Sequence, residues 1–232
     1  MNKRTVYRLL EDKMLGYRDY ADMPVRPKPE KLLAIKANPH LKARQADAAM
    51  MPYTGDMVLV RQGLLDRLQT AGKLLAAYDD GLQLEVIYGY RAPEIQSQLF
   101  EKYRASLAGK YGGSELVEAA HRLVAVPDAA GHPAGAAVDL QIVRSGKALD
   151  FGTKIWEFVP DSFAYSPFVS KIAWENRQLL RRIMLAVGFA PFDGEWWHFS
   201  YGDKEWAKYY GRPFAIYEQV KDPARSAARG AA

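Results

Sequence analysis

The stretch Gly194-Glu195-Trp196-Trp197-His198-Phe199 sets a carboxylate and an imidazole three residues apart among large aromatic side chains. The turn signal Pro191-Phe192-Asp193-Gly194 in front of this aromatic run reads as the start of a strand. In a regular strand, side chains three apart point to opposite faces. Glu195 and His198 therefore converge on one site only if Glu195 sits on an irregular turn and the strand begins at about Trp196. Bulky rings around such a pair exclude solvent and strengthen every charge interaction there.

Composition narrows what the pair can do. The 232 residues include no Cys, which removes disulfides, thiolate ligands and Cys nucleophiles and leaves any metal to His, Asp or Glu. Only four His are available. His132 lies in a loop by composition, Gly131-His132-Pro133-Ala134-Gly135, and residues 136–143 follow as a strand with Val138, Leu140 and Ile142 on one face. Asp139 is on the other face, flanked by Ala137 and Gln141. A lone carboxylate in an apolar, β-forming run is costly to bury unless a cation or hydrogen bonds compensate it.

Singly, each residue also has a structural reading. His132 suits a plain loop, Asp139 a cap or ion pair, His198 a hydrogen-bonded core position, Glu195 a turn, and Trp196-Trp197 core packing. Together, His132, Asp139 and His198 supply the three N/O ligands of an open catalytic zinc site, with a fourth position for water and Glu195 as base. His40, in a turn, and His121, in a helix beside Arg122, lack such company and read as structural or surface residues.

Apolar periodicity predicts helices over 61–78 and 171–187, the second with Ile172, Leu179, Leu180, Ile183, Met184 and Val187 inward and Gly188 as its stop. Leu82, Leu84, Val86, Tyr88 and Tyr90 alternate as a half-buried strand that delivers Arg91 to a strand-to-helix junction. From there Arg91 can face a cleft or close a structural ion pair. Pro93 opens the next helix, with Ile95, Leu99, Tyr103 and Leu107 as its stripe. Ser114 reads as the N-cap of a helix over 115–122, and 147–166 as a loop-rich insertion.

The net charge of +5 invites a nucleic-acid reading, but residues 1–50 hold 11 Lys/Arg against 6 Asp/Glu while residues 51–232 hold 21 of each. The excess belongs to an N-terminal arm without a nucleic-acid motif, which argues for a solvated basic surface. The expected organisation is a basic arm over 1–54 packed on the body, a catalytic domain over 55–220 and a disordered tail over 221–232. No run of about 18 apolar residues and no secretory leader is present, so the expectation is a cytoplasmic protein without a membrane span. Nothing in the residues bears on oligomeric state.

The spacing His132-x6-Asp139 together with Glu195-Trp196-Trp197-His198 resembles the zinc D-alanyl-D-alanine dipeptidases, the VanX-like peptidases related to D,D-carboxypeptidases and to the hedgehog signalling domain. The likeness extends to Tyr88-Gly89-Tyr90-Arg91-Ala92-Pro93, Phe151-Gly152-Thr153 and Asn176-Arg177-x-Leu179-Leu180-Arg181, and covers roughly residues 55–205. It implies an α+β fold in which a small antiparallel sheet carries one zinc ion, with helices packed around it. It also implies His132, Asp139 and His198 as ligands, Glu195 as base and Arg91 at the scissile carbonyl of a small D-amino-acid peptide.

Two departures bear on substrate contacts. Ala130 stands where the family has Ser, and Ile155-Trp156 where it has Phe-Asp, with Glu157 next as the replacement carboxylate for the substrate's amino group. Ala130, Trp156, Glu157 and Trp197 are accordingly the candidate substrate contacts. The expected function is zinc-dependent hydrolysis of D-alanyl-D-alanine. The alternatives are a zinc carboxypeptidase or dipeptidase for other cell-wall-derived peptides, and a non-catalytic zinc-binding peptide-recognition module.

Overall fold

The computed structural model describes residues 1–221 and 223. Beyond Lys221 and Pro223, the expected disordered tail falls outside the described residues. In chain order the elements are α1 (Lys3–Glu11), β1 (Leu32–Ala34), β2 (Leu41–Ala43), α2 (Met51–Thr54), β3 (Leu59–Arg61), α3 (Gln62–Tyr78), β4 (Leu82–Tyr88), α4 (Pro93–Leu107) and α5 (Gly113–His121). They continue as β5 (Ala137–Arg144), β6 (Lys147–Ala148), α6 (Lys171–Ala186), β7 (Ala190–Pro191), β8 (His198–Ser200) and α7 (Lys204–Tyr209). No helix among the described residues is long and apolar enough to cross a membrane.

The fold is α+β. The main sheet runs β2-β4-β5-β8-β7, with β6 hairpinned onto β5, and β1 pairs with β3 apart from it. The sheet is not antiparallel throughout, because β2 pairs parallel with β4. The chain between them passes through α3, and a helical crossover of this kind returns a strand in the same direction. Segment 1–54 thus contributes the edge strand of the sheet. Upstream of it, Val25 bridges to Ala215, and Tyr7 of α1 donates to Asp161.

One face of β4 and β5, carrying Leu82, Leu84, Val86, Val138, Leu140 and Ile142, packs with Leu64, Leu68, Ala71 and Leu75 of α3 and Leu179, Leu180 and Met184 of α6. Each fully buried Leu contributes about 1.5–3 kcal/mol, so this layer holds the sheet rather than the exposed ion pairs, worth about 0–1 kcal/mol each. The opposite face of β5 carries Asp139, and α4 and α5 join in a smaller cluster around Phe100, Ala120 and Val124.

Three local expectations are corrected. Ile172 is 63% exposed, because the helix starts from the Ser170 cap in a phase that buries Ala173 instead. Helix α5 begins at Gly113, with Gly112 as its N-cap and Ser114 already inside. Strand β8 begins at His198 rather than Trp196, since two successive turns occupy 193–197.

The irregular segment between β6 and α6 is tied down from α6. Arg177, 1% exposed, donates to the carbonyls of Phe151, Asp161 and Phe163, and Asn176 Nδ2 donates to that of Asp150. Arg177→Ala leaves three carbonyls without these donors and is expected to lower the unfolding free energy by at least about 3 kcal/mol in urea titration. A loss below about 1 kcal/mol would show that the segment is held by other contacts.

Candidate metal centre

Strand register assembles the site. In β4–β5 Tyr88 is paired with Asp139 after a register shift between Val86 and Tyr88, and in β5–β8 Asp139 is paired with His198. Tyr88, Asp139 and His198 therefore form one row across three strands. His132 joins from the short 3-10 turn His132–Ala134 that precedes β5, closed by Gly135 at φ +64, a conformation that favours glycine.

Hydrogen bonds orient each side chain. His132 Nδ1 is 2.8 Å from the Gly89 carbonyl and donates to it, which leaves Nε2 as a free lone pair 3.4 Å from Asp139 Oδ1. Gly89 has to be glycine, because a Cβ there would collide with the Leu59 carbonyl. Trp156 Nε1 donates to Asp139 Oδ2 at 2.8 Å, so Oδ1 is the oxygen left facing the imidazoles. His198 Nδ1 lies 3.1 Å from that same Oδ1. One ligand atom from each of His132, Asp139 and His198 lies within 4.8 Å of the others. Tetrahedral ligands on zinc stand about 3.4 Å apart, and two of the three separations come close to that value.

Glu195 lies off the strand, as the three-residue spacing requires. Its N–H donates to the Phe192 carbonyl at 3.1 Å and its carbonyl accepts from the His198 N–H at 3.2 Å. Arg91 follows β4; its Nε donates to Tyr88 Oη at 3.1 Å and its Nη1 to Gln96 Oε1 at 2.8 Å, with the guanidinium 4.7 Å from the Tyr88 ring centre. Nη2 has no protein partner among the described residues.

Burial pushes the Glu195 carboxyl up to about 8, with the Asp139 charge adding to the effect and the His198 and Arg91 charges opposing it. Burial holds His132 down at about 4, in the neutral form that can give up a lone pair. Burial also opposes a charged His198, but the hydrogen bond and charge of Asp139 push that imidazole up to about 9. For Asp139 the burial penalty is outweighed by His132 and His198, which hold it well below the usual carboxylate range. Without a cation the centre is thus an ionised Asp139 beside a protonated His198.

These groups open on a cavity of about 280 Å³. Arg91, Ala130, His132, Asp139, Trp156, Glu195 and His198 all line it. Two candidate substrate contacts do not. Glu157 is exposed, and its Oε2 turns back to accept from the Lys154 N–H at 3.0 Å. Trp197 is fully buried in the main core, edge-on to Trp196. Trp156 lines the wall at φ +64, a strained value for a residue other than glycine, with its indole N–H committed to Asp139. His121 is a buried structural residue rather than a surface one.

Several wall residues carried no signal of their own in the sequence. Tyr20 comes from the N-terminal segment and Glu205 from α7, both far from the motifs in the chain. Gln96, which braces Arg91, is a polar position one residue beyond Ile95 of the apolar stripe on α4.

Residues 52–219 match the family Peptidase_M15, D-ala-D-ala dipeptidase. A D-alanyl-D-alanine dipeptidase of Synechocystis sp. (strain ATCC 27184 / PCC 6803 / Kazusa) is 25% identical over 218 residues, covering 82% of this chain and 86% of that protein. A D-alanyl-D-alanine dipeptidase of Escherichia coli (strain K12) is 34% identical over 121 residues, 52% of this chain and 55% of that protein. The solved LdcB LD-carboxypeptidase is 21% identical with a TM-score of 0.44, covering 77% of this chain and 71% of its own, a likeness that carries no weight here. With well over half of its length matched, the chain belongs to the Peptidase_M15 D-Ala-D-Ala dipeptidase family of metallopeptidases.

Proposed function

We propose that the chain is a zinc-dependent dipeptidase acting on D-alanyl-D-alanine. The observation that carries this reading is the convergence of His132 Nε2, Asp139 Oδ1 and His198 Nδ1 on the wall of a cavity shared with Glu195 and Arg91. The donor set suits the ion: two imidazoles and a carboxylate, with no thiolate in the chain, are the N/O ligands of an open catalytic zinc site. Zinc held there would supply Lewis-acid polarisation of a carbonyl and a lowered pKa for water.

The remaining chemistry falls to the chain's own residues. Gly89 O and Trp156 Nε1 fix which atoms His132 and Asp139 present, the orienting role that outer hydrogen bonds have at metal sites. Glu195 takes a proton from the attacking water and passes it to the leaving amine. A carboxyl raised towards neutrality suits both steps, because it binds the proton firmly enough to accept it and releases it near the working pH. Arg91, braced by Tyr88 and Gln96, has Nη2 left to donate to the oxyanion of the tetrahedral intermediate. A preorganised donor of that kind is worth about 3 kcal/mol. The presence of both Glu195 and Arg91 on the cavity wall favours an enzyme over a binding module, which needs neither.

The decisive assay is release of free D-alanine from D-alanyl-D-alanine by zinc-loaded protein. Glu195→Ala is expected to lower turnover about 10²–10⁴-fold with zinc still bound, and His198→Ala to lose both zinc and turnover. Full activity in Glu195→Ala would sink the assignment of the base. Faster hydrolysis of longer peptides would move the reading to a carboxypeptidase, and zinc binding without turnover of any D-amino-acid peptide to a recognition module.

Zinc binding should also depend on pH. His198 is protonated below about 9 in the metal-free protein and must give up that proton to become a ligand. Apparent zinc affinity is therefore expected to rise about tenfold per pH unit between pH 7 and 9, with proton release seen by calorimetry in buffers of different ionisation heat. A flat profile over that range would show that His198 is already neutral in the metal-free protein.

A further inference from the structure

One carboxyl group of the cavity wall is not used by the mechanism above. Glu205, near the start of α7, is only 8% exposed, lines the wall, and has no hydrogen bond or ion pair among the described residues. The other carboxyl groups of the wall are accounted for. Asp47 accepts from Tyr88 Oη and from the Ala49 N–H, Asp139 accepts from Trp156 Nε1, and Glu195 is the base. A buried carboxylate without a partner is costly, and in a binding cavity the missing partner is a group on the ligand.

Tyr20 supplies a second polar group on that wall. It is buried on the same wall, and after burial the Glu205 charge is the strongest influence on its hydroxyl. Its hydrogen-bond role follows from His121. His121 Nδ1 accepts from the Val126 N–H at 3.1 Å, so the proton of the neutral imidazole is on Nε2, which donates to Tyr20 Oη at 2.6 Å. The hydroxyl hydrogen of Tyr20 is thereby left for an acceptor in the cavity.

We infer that Glu205, assisted by Tyr20, is the subsite for the free ammonium group of the substrate and makes an unblocked amino terminus a condition of productive binding. This rests on the dipeptidase reading. In a dipeptide the ammonium nitrogen lies about 2.5 Å from the scissile carbonyl carbon, so its subsite must adjoin the metal-ligand cluster. Glu205 meets that condition by lining the same cavity as His132, Asp139 and His198. The subsite would replace the carboxylate expected of Glu157, which turns away from the cavity.

The test compares D-alanyl-D-alanine with N-acetyl-D-alanyl-D-alanine on zinc-loaded wild type, Glu205→Gln, Glu205→Asp and Tyr20→Phe, with zinc content and melting temperature recorded for each. Wild type is expected to prefer the free dipeptide in kcat/KM by about 100-fold or more. In Glu205→Gln that preference should shrink about 10- to 100-fold, mainly through KM for the free dipeptide. Glu205→Asp, which keeps the charge, should retain most of it, and Tyr20→Phe should reduce it in the same direction. An unchanged preference in Glu205→Gln overturns the subsite and leaves the dipeptidase reading intact. Loss of zinc in folded Glu205→Gln but not in Glu205→Asp also overturns it, by assigning Glu205 to the support of His198. A wild type that hydrolyses neither peptide overturns the dipeptidase reading, and the subsite with it.

Discussion

A carboxylate buried in the middle of a central strand is the constraint on which the rest of this site depends. Asp139 is 2% exposed, and the sheet tolerates it only because its two oxygens have separate tasks. Oδ2 is satisfied by an indole N–H from a loop, while Oδ1 faces two imidazoles. The strand register sets both arrangements. A slip of one residue between β5 and either neighbour would place Asp139 on the apolar face against α3 and α6, where no cation or donor could compensate it. Fold specificity and site assembly are therefore the same requirement.

That coupling explains why the His132, Asp139 and His198 cluster was legible in the sequence. An Asp breaking an apolar alternation, a His seven residues earlier and a His bound to a turn-borne Glu are local patterns, and strand periodicity converts them into a shared face. The long helices were legible for the same reason, since Leu64, Leu68 and Leu75 or Leu179, Leu180 and Met184 repeat at helical spacing and are buried. The phase at a helix start was not, because capping by Ser170 decides it and leaves Ile172 outside.

Contacts made between distant segments were beyond local pattern. Of the two readings open for Trp197, core packing is the one the structure shows, while Glu157 sits in the right motif but folds back on its own turn. Conversely, Tyr20 and Glu205 carry no local signal and become wall residues only when the N-terminal segment and α7 are folded around the sheet. The parallel pairing of β2 with β4 is of the same kind, a consequence of where the chain goes rather than of the residues in the strand.

The left-handed backbone at Trp156 has a consequence for how this chain can change. A residue other than glycine at φ +64 costs on the order of 1–2 kcal/mol, but the indole packs against two core clusters and edge-on to Tyr88, and truncating a packed Trp costs about 3–5 kcal/mol. Trp156→Gly would relieve that backbone strain and also remove the indole N–H that donates to Asp139 Oδ2. Core packing and the orientation of Asp139 thus both hold the tryptophan at a position whose backbone favours glycine. The loop therefore resists the one exchange that its backbone conformation invites.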